Sequence, residues 1–155
     1  MNKLTYPVKY AETGYNKDEE IMDPRLYIVM RRDLQDMNPG KGMAQAAHAQ
    51  ADFSAWMKHI RQDPDQYSAL IAEFDKWLED RAFGVTLVLH ETLATIEQIM
   101  HNTDFSGKTV DPTYPWRNYY GDVFLSNEVT CAWVFICNES NPCEEEYMKQ
   151  FNLHK

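Results

Sequence analysis

The densest set of residues able to do chemistry lies between Leu26 and Phe53 of this 155-residue chain. Lys41, Gln45, His48 and Asp52 recur at i, i+4, i+7 and i+11. On a helix turning about 100° per residue, that spacing aligns them as one narrow polar stripe. Lys41 is a cation able to offer charge to an oxyanion or a phosphate. His48 has an ordinary pKa of about 6.5, which suits a general base; two turns into a helix, it suits a structural hydrogen bond equally well. Ala46, Ala49, Phe53, Trp56, Met57 and Ile60 gather on an adjacent arc, the natural core face. Ala44, Ala51 and Ala55 flank the stripe on its other side. The stripe is therefore either a solvated face beside the core or a set of polar groups held in a groove.

Two elements must position these residues. Leu26 to Met30 is a short apolar run rich in β-formers and closed by Arg31-Arg32-Asp33, which predicts a buried strand. Asn38-Pro39-Gly40 supplies a turn. From about residue 41 to 61 the Ala, Met, Gln and His residues suit a helix, with a lysine at its entry.

Arg31-Arg32-Asp33-Leu34, Met37, Gly40-Lys41, Ala44-Gln45 and His48-Ala49 together resemble the signature of the type 2 peptidyl-tRNA hydrolases. In that family a strand ends in Arg-x-Asp-Leu. A Gly- and Lys-rich loop follows, and then a helix reading Lys-x-x-x-Gln-x-x-His-Ala. The match is dense over about twenty-five residues, in the same order and spacing. Two positions depart. Gly42 follows the lysine where the family has an aliphatic residue, at a cost to the helix of about 1 kcal/mol, which favours a helix start one residue late. Pro39 stands where a second lysine is common.

Beyond this stretch, Asp63 as N-cap and Pro64 at the first helical position open a second helix running to about Glu79. Residues 83–89 read as a second strand, apolar enough to be buried on both faces. Leu93, Ile96, Ile99 and Met100 give a further helix ending near His101. Thr109-Val110 leads into Asp111, as the family's third strand leads into an Asp-Ala-Gly-x-Thr turn. Here Asp111-Pro112-Thr113 lacks the glycine, and Thr113 comes two positions early. Residues 114–127 read as an aromatic, Pro-containing loop where the family is shorter. The last strand is expected over 129–137, with Thr130 in the place of the family's strand-opening threonine. Pro142 begins a final helix through Phe151, its glutamates at the favourable positive end.

Helices interleaved with strands predict an α/β protein. The resemblance implies a three-layer α/β/α fold with a four-stranded mixed sheet, formed by one domain over residues 25–155. Residues 1–24, broken by Pro7, Gly14 and Asp23-Pro24, read as an extended N-terminal arm.

Composition narrows the class. Hydrophobic residues at 44% with 13% aromatics argue against disorder. No apolar run has the length to span a bilayer, and no signal peptide is expected at the N-terminus. Cys131, Cys137 and Cys143 form an odd set, which predicts reduced thiols in a cytoplasmic protein. Cys137 and Cys143 are too isolated from other Cys or His to make a zinc set, and no cofactor is expected. His90-Glu91 and His101 lack ligand spacing and read as surface positions. No Gly-x-Ser-x-Gly elbow, P-loop or dinucleotide fingerprint occurs. The net charge of -9 runs against phosphate contact, which needs Lys and Arg. The acid is concentrated in Asp18-Glu19-Glu20, in 63–80 and in Glu144-Glu145-Glu146, which leaves a locally basic groove around Arg25, Arg31, Arg32 and Lys41 on an acidic body.

The substrate implied by the resemblance is peptidyl-tRNA, cut at the ester between peptide and terminal ribose. Lys41, Asp111, Gln45, Thr130 and His48 are the catalytic candidates, and Arg31, Arg32, Thr113 and Arg117 the substrate-binding ones. Asp111 would orient a water or hold Lys41, while Gln45 and Thr130 would place groups by hydrogen bonds. Trp116 with Tyr119-Tyr120 suits stacking on a tRNA terminus; a core or dimer contact is the commoner fate of such aromatics. The rival class is an inactive protein of the same fold that binds a tRNA or protein partner, the latter through the 114–127 loop. A homodimer is a further expectation.

Overall fold

The structure, a computed structural model, describes residues 23–79 and 84–151. Of the expected N-terminal arm only Asp23 and Pro24 fall within the described residues; residues 1–22 lie outside them, as does Phe83 of the expected second strand.

Strand β1 (Arg25–Arg31) leads through helices α1 (Pro39–Ile60) and α2 (Pro64–Glu79) to β2 (Thr86–Glu91). Helix α3 (Leu93–His101), strands β3 (Ser106–Arg117) and β4 (Val123–Ile136) and helix α4 (Glu144–Lys149) complete the chain. The sheet has the order β2-β1-β4-β3. β1 and β2 run parallel, while β1–β4 and β3–β4 are antiparallel. This is the expected four-stranded mixed sheet.

The alternation of β1 divides its side chains between two cores. Leu26, Ile28 and Met30 join Trp133 and Phe135 of β4 beneath α1 and α2. Tyr27 and Val29 join Ala132, Val134 and Ile136 against α3 and α4. Helices therefore cover both faces, making three layers. Phe53, fully buried, is the centre of the first core. Its ring lies 5.2 to 6.3 Å from those of Phe135, Trp77, Trp133 and Phe74. Trp77 also donates from Nε1 to the Val85 carbonyl at 2.8 Å, tying α2 to the entry of β2. The tryptophan packs so closely on Gly84 (φ 77°) that a Cβ there would meet its ring at 2.2 Å; only glycine fits.

Helix α1 begins at Pro39, earlier than expected. The Asn38 side chain accepts the Lys41 N–H at 2.9 Å, and Pro39 occupies a first-turn position where no N–H is needed. This cap fixes the start despite Gly42. Asp63 caps α2 through the Gln66 N–H at 3.3 Å.

Three other expectations are corrected. β2 is not buried on both faces: it is an edge strand, and only Leu89 along it is buried. The 114–127 segment is not a loop. Tyr114 to Arg117 pair with Val123 to Ser126, so β3 and β4 form one long hairpin. Pro112 and Pro115 are tolerated because, among the described residues, β3 is an edge strand with no ladder on its outer side. The turn is closed by Asn118, whose Oδ1 accepts the N–H groups of Tyr120 and Asp122, both at 2.9 Å. Helix α4 is shorter than expected, with Pro142 in the turn before it.

Phe53→Ala should cost about 3–5 kcal/mol, as for a buried aromatic truncated to a cavity. Urea unfolding is the check: the midpoint falls while the slope is unchanged.

Candidate active site

The first turns of α1 cross the face of the sheet above β4 and β3, which turns Gln45 inward. Gln45 is only 4% exposed and Thr130 is fully buried. Thr130 Oγ1 donates to Gln45 Oε1 at 2.6 Å, and Gln45 Nε2 donates to Asp111 Oδ2 at 2.7 Å. A carboxylate can only accept, so the charge on Asp111 fixes which end of the amide faces it. The Thr130 hydroxyl then completes the other end. Cys131 Sγ donates to the Gln45 backbone carbonyl at 3.2 Å.

Asp111 reaches α1 because β3 is irregular. Its register breaks between Thr109 and Val110 and again between Asp111 and Tyr114, and such bulges re-aim side chains. The second break also lets Asp111 Oδ1 accept the Thr113 N–H at 2.9 Å and the Thr113 hydroxyl at 3.2 Å. Burial acts to raise the Asp111 pKa. The bonds from the Thr113 N–H, the Gln45 amide and the Thr113 hydroxyl, with the His48 charge, outweigh it and hold the carboxyl below its ordinary range. It is ionised at neutral pH and is an acceptor, not a proton reservoir.

Lys41 lies one turn before Gln45. Its Nζ donates to the Pro115 carbonyl at 3.3 Å and stands 5.4 Å from the centre of the Tyr114 ring. Hydrogen bonds thus gather Gln45, Asp111, Thr113 and Thr130 between α1 and the β3 bulge, and Lys41 lies one turn away along α1 with its ammonium at Tyr114 and Pro115 of β3. His48 is exposed, and its electrostatic reach to Asp111 puts it at the margin of this group. Asp52, at the far end of the stripe, accepts from Thr109 Oγ1 at 2.8 Å. The stripe thus divides: Gln45 and Asp52 bond across to the sheet, while His48 and the flanking Ala44, Ala51 and Ala55 are exposed.

The arginines are placed differently. Arg31 is held by Asp33 at 2.9 Å and by Glu128 and the Val129 carbonyl, each at 3.2 Å. Arg32 lies 3.9 Å from Glu91. The Arg117 guanidinium bonds the Gly121 carbonyl at 3.2 Å on the exposed hairpin, away from Asp111. The expected basic groove is therefore largely matched by carboxylates already in contact with it.

Several residues around the site were not singled out from the sequence. Tyr114, 1% exposed, donates its hydroxyl to the Gln35 carbonyl at 2.9 Å. Asp36 (φ 59°) accepts the Arg117 N–H at 2.8 Å. These bonds lash the 32–38 loop to the hairpin, and a small cavity of about 200 Å³ lies between them. On the other side of α1 a groove of about 800 Å³ is lined by Met30, Met37, Met43 and Val88 together with Arg31 and Arg32. Tyr114 lies within what reads as a loop; Glu128 and Val129, which share Arg31 with the neighbouring Asp33, are distant in sequence and give no local signal.

Comparison with family models and with curated proteins finds no match to this chain. Among the described residues no helix is long and apolar enough to cross a membrane.

Two outcomes follow from this geometry. Thr130→Val leaves Gln45 Oε1 buried without its donor and should cost about 1–3 kcal/mol by urea unfolding. Because the folded pKa of Asp111 is depressed, its stabilisation is full above the unfolded value and is lost as pH falls through the folded one. The thermal stability advantage of wild type over Asp111→Asn should therefore be largest at neutral pH and shrink below about pH 5.

Proposed function

We propose that this protein hydrolyses the ester bond of peptidyl-tRNA, releasing the peptide and free tRNA. The observation that carries the proposal is the hydrogen-bonded chain Thr130–Gln45–Asp111 beside Lys41. It links Thr130, Gln45 and Asp111, three of the residues that the resemblance to type 2 peptidyl-tRNA hydrolases implies, which supports this reading.

Hydrolysis requires water to attack the ester carbonyl carbon, charge to develop on the carbonyl oxygen, and the C–O bond to the ribose to break. Water supplies a hydroxyl to the peptide carboxyl and a proton to the ribose oxygen. Asp111, ionised and held by Gln45 and Thr113, is an acceptor that can orient the attacking water. Lys41 uses one of its N–H donors on Pro115 and has others for the developing oxyanion. His48, exposed near Asp111, is the group that can relay the proton. Arg32 and Arg117, both exposed, are the arginines better placed for phosphate than Arg31. A cytoplasmic site of action goes with this reading.

A second reading, a binding protein of the same fold, has its own support. The β3–β4 hairpin exposes Tyr119 (97%), Tyr120 (85%) and Leu125 (64%), more apolar surface than a solvated turn needs.

The test is release of N-acetylated amino acid from aminoacyl-tRNA. Lys41→Ala should lower turnover about a hundredfold or more, as for loss of an oxyanion donor, with stability lowered by about 1–2 kcal/mol through the lost Pro115 bond and Tyr114 contact. Activity should also fall steeply with salt through weakened tRNA binding. Absence of hydrolysis by the unmodified protein would overturn the proposal and favour the binding reading.

A further inference from the structure

A lysine ammonium at the end of a flexible four-carbon stem does not by itself define a position. In this protein it is seated twice on consecutive residues of β3. Lys41 Nζ bonds the Pro115 carbonyl at 3.3 Å and stands 5.4 Å from the centre of the Tyr114 ring, within the range of a cation–π contact. The ring itself is immobile: it is 1% exposed, and its hydroxyl is spent on the Gln35 carbonyl at 2.9 Å. Burial raises the phenol pKa, so the hydroxyl remains a donor at neutral pH. Tyr114 also lies directly beyond the register break that turns Asp111 toward Gln45. One short segment, residues 111–115, therefore carries both the acceptor of the site and the seat of its cation.

We infer that Tyr114 is a positioning residue: its ring face seats the Lys41 ammonium on β3, and its hydroxyl anchors that ring to the 32–38 loop. The consequence for turnover rests on the hydrolase proposal; the seating of Lys41 does not. The aromatic face acts on the cation, and the hydroxyl acts on the loop, so the two functions separate by substitution. Tyr114→Phe keeps the first and removes the second. Tyr114→Leu removes both.

The experiment uses the full chain labelled with [13Cε]-lysine, the Lys41 signal being assigned by its loss in Lys41→Arg. A ring face near the ammonium shields the adjacent methylene. The Lys41 ε-proton resonances should therefore lie upfield of the other lysines in wild type and in Tyr114→Phe, and return among them in Tyr114→Leu. In the tRNA assay Tyr114→Leu should lower kcat about fivefold with little change in KM, the scale of one lost cation–π contact, and Tyr114→Phe should recover most of that loss. Lys41 resonances at the ordinary lysine position in the folded wild type overturn the inference, whether or not Tyr114→Leu folds. So does a folded Tyr114→Leu that retains an upfield Lys41 signal. If the wild type shows the upfield signal but no hydrolysis, the seating of Lys41 stands and the reaction proposal fails.

Discussion

A buried amide must have both ends satisfied, and Gln45 is the point from which the site is organised. Its side chain sits beneath α1 where water does not reach. An unmet donor or acceptor there costs about 1–3 kcal/mol, comparable to a large share of what a small domain has in reserve. Thr130 satisfies the oxygen and Asp111 the nitrogen. One amide thus bridges α1 to β4 on one side and to the β3 bulge on the other. Asp111 in turn remains ionised because the same bonds that complete Gln45 stabilise its charge. Satisfying the core and preparing a charged acceptor at the surface are one arrangement.

The apolar contacts make that arrangement rigid. Phe53 lies two turns beyond Gln45 on α1 and is surrounded by rings from α2 and β4. Rotating α1 to withdraw Gln45 from Thr130 would drag Phe53 out of a packed cluster. On the opposite face of the sheet, α3 and α4 cover Tyr27, Val29 and Ala132, so β1 and β4 are clamped from both sides. The site is thus built where the rigid centre of the sheet meets its edge strand. Edge strands accept bulges and prolines that a central strand does not, and β3 uses both between Thr109 and Pro115.

Charge is arranged locally against an acidic total. Arg31 bridges Asp33 and Glu128, and Asp33 also receives the Leu93 N–H at the start of α3 at 3.2 Å. Arg31 thereby joins the end of β1 to β4 and, through Asp33, to α3. That is a structural task, and it leaves much of the Arg31 charge matched by carboxylates. Lys41 differs: its neighbours are a carbonyl and an aromatic ring, which orient a cation without neutralising it.

Local patterns were enough to establish the elements near the front of the chain and the face each one buries. β1 was legible from its apolar run, α1 from its 3.6-residue period, and α2 from the Asp63-Pro64 start, because these signals arise within a few residues. The same periodicity found the core face of Phe53 and Met57 and the polar stripe through Gln45. It did not separate Gln45, which bonds the sheet, from His48, which faces solvent, since that depends on what lies across the helix. The resemblance singles out Asp111 and Thr130, but only the tertiary structure joins them through Gln45, at sequence separations of 66 and 85. The hairpin over 114–127 was hidden because its prolines and aromatics break the expected alternation. They are accommodated only because β3 is the last strand of the sheet, and strand order is a property of the assembled chain. For the same reason β2, apolar enough to be central, lies at the opposite edge: hydrophobicity predicts burial, whereas pairing with β1 alone decides how much of it is achieved.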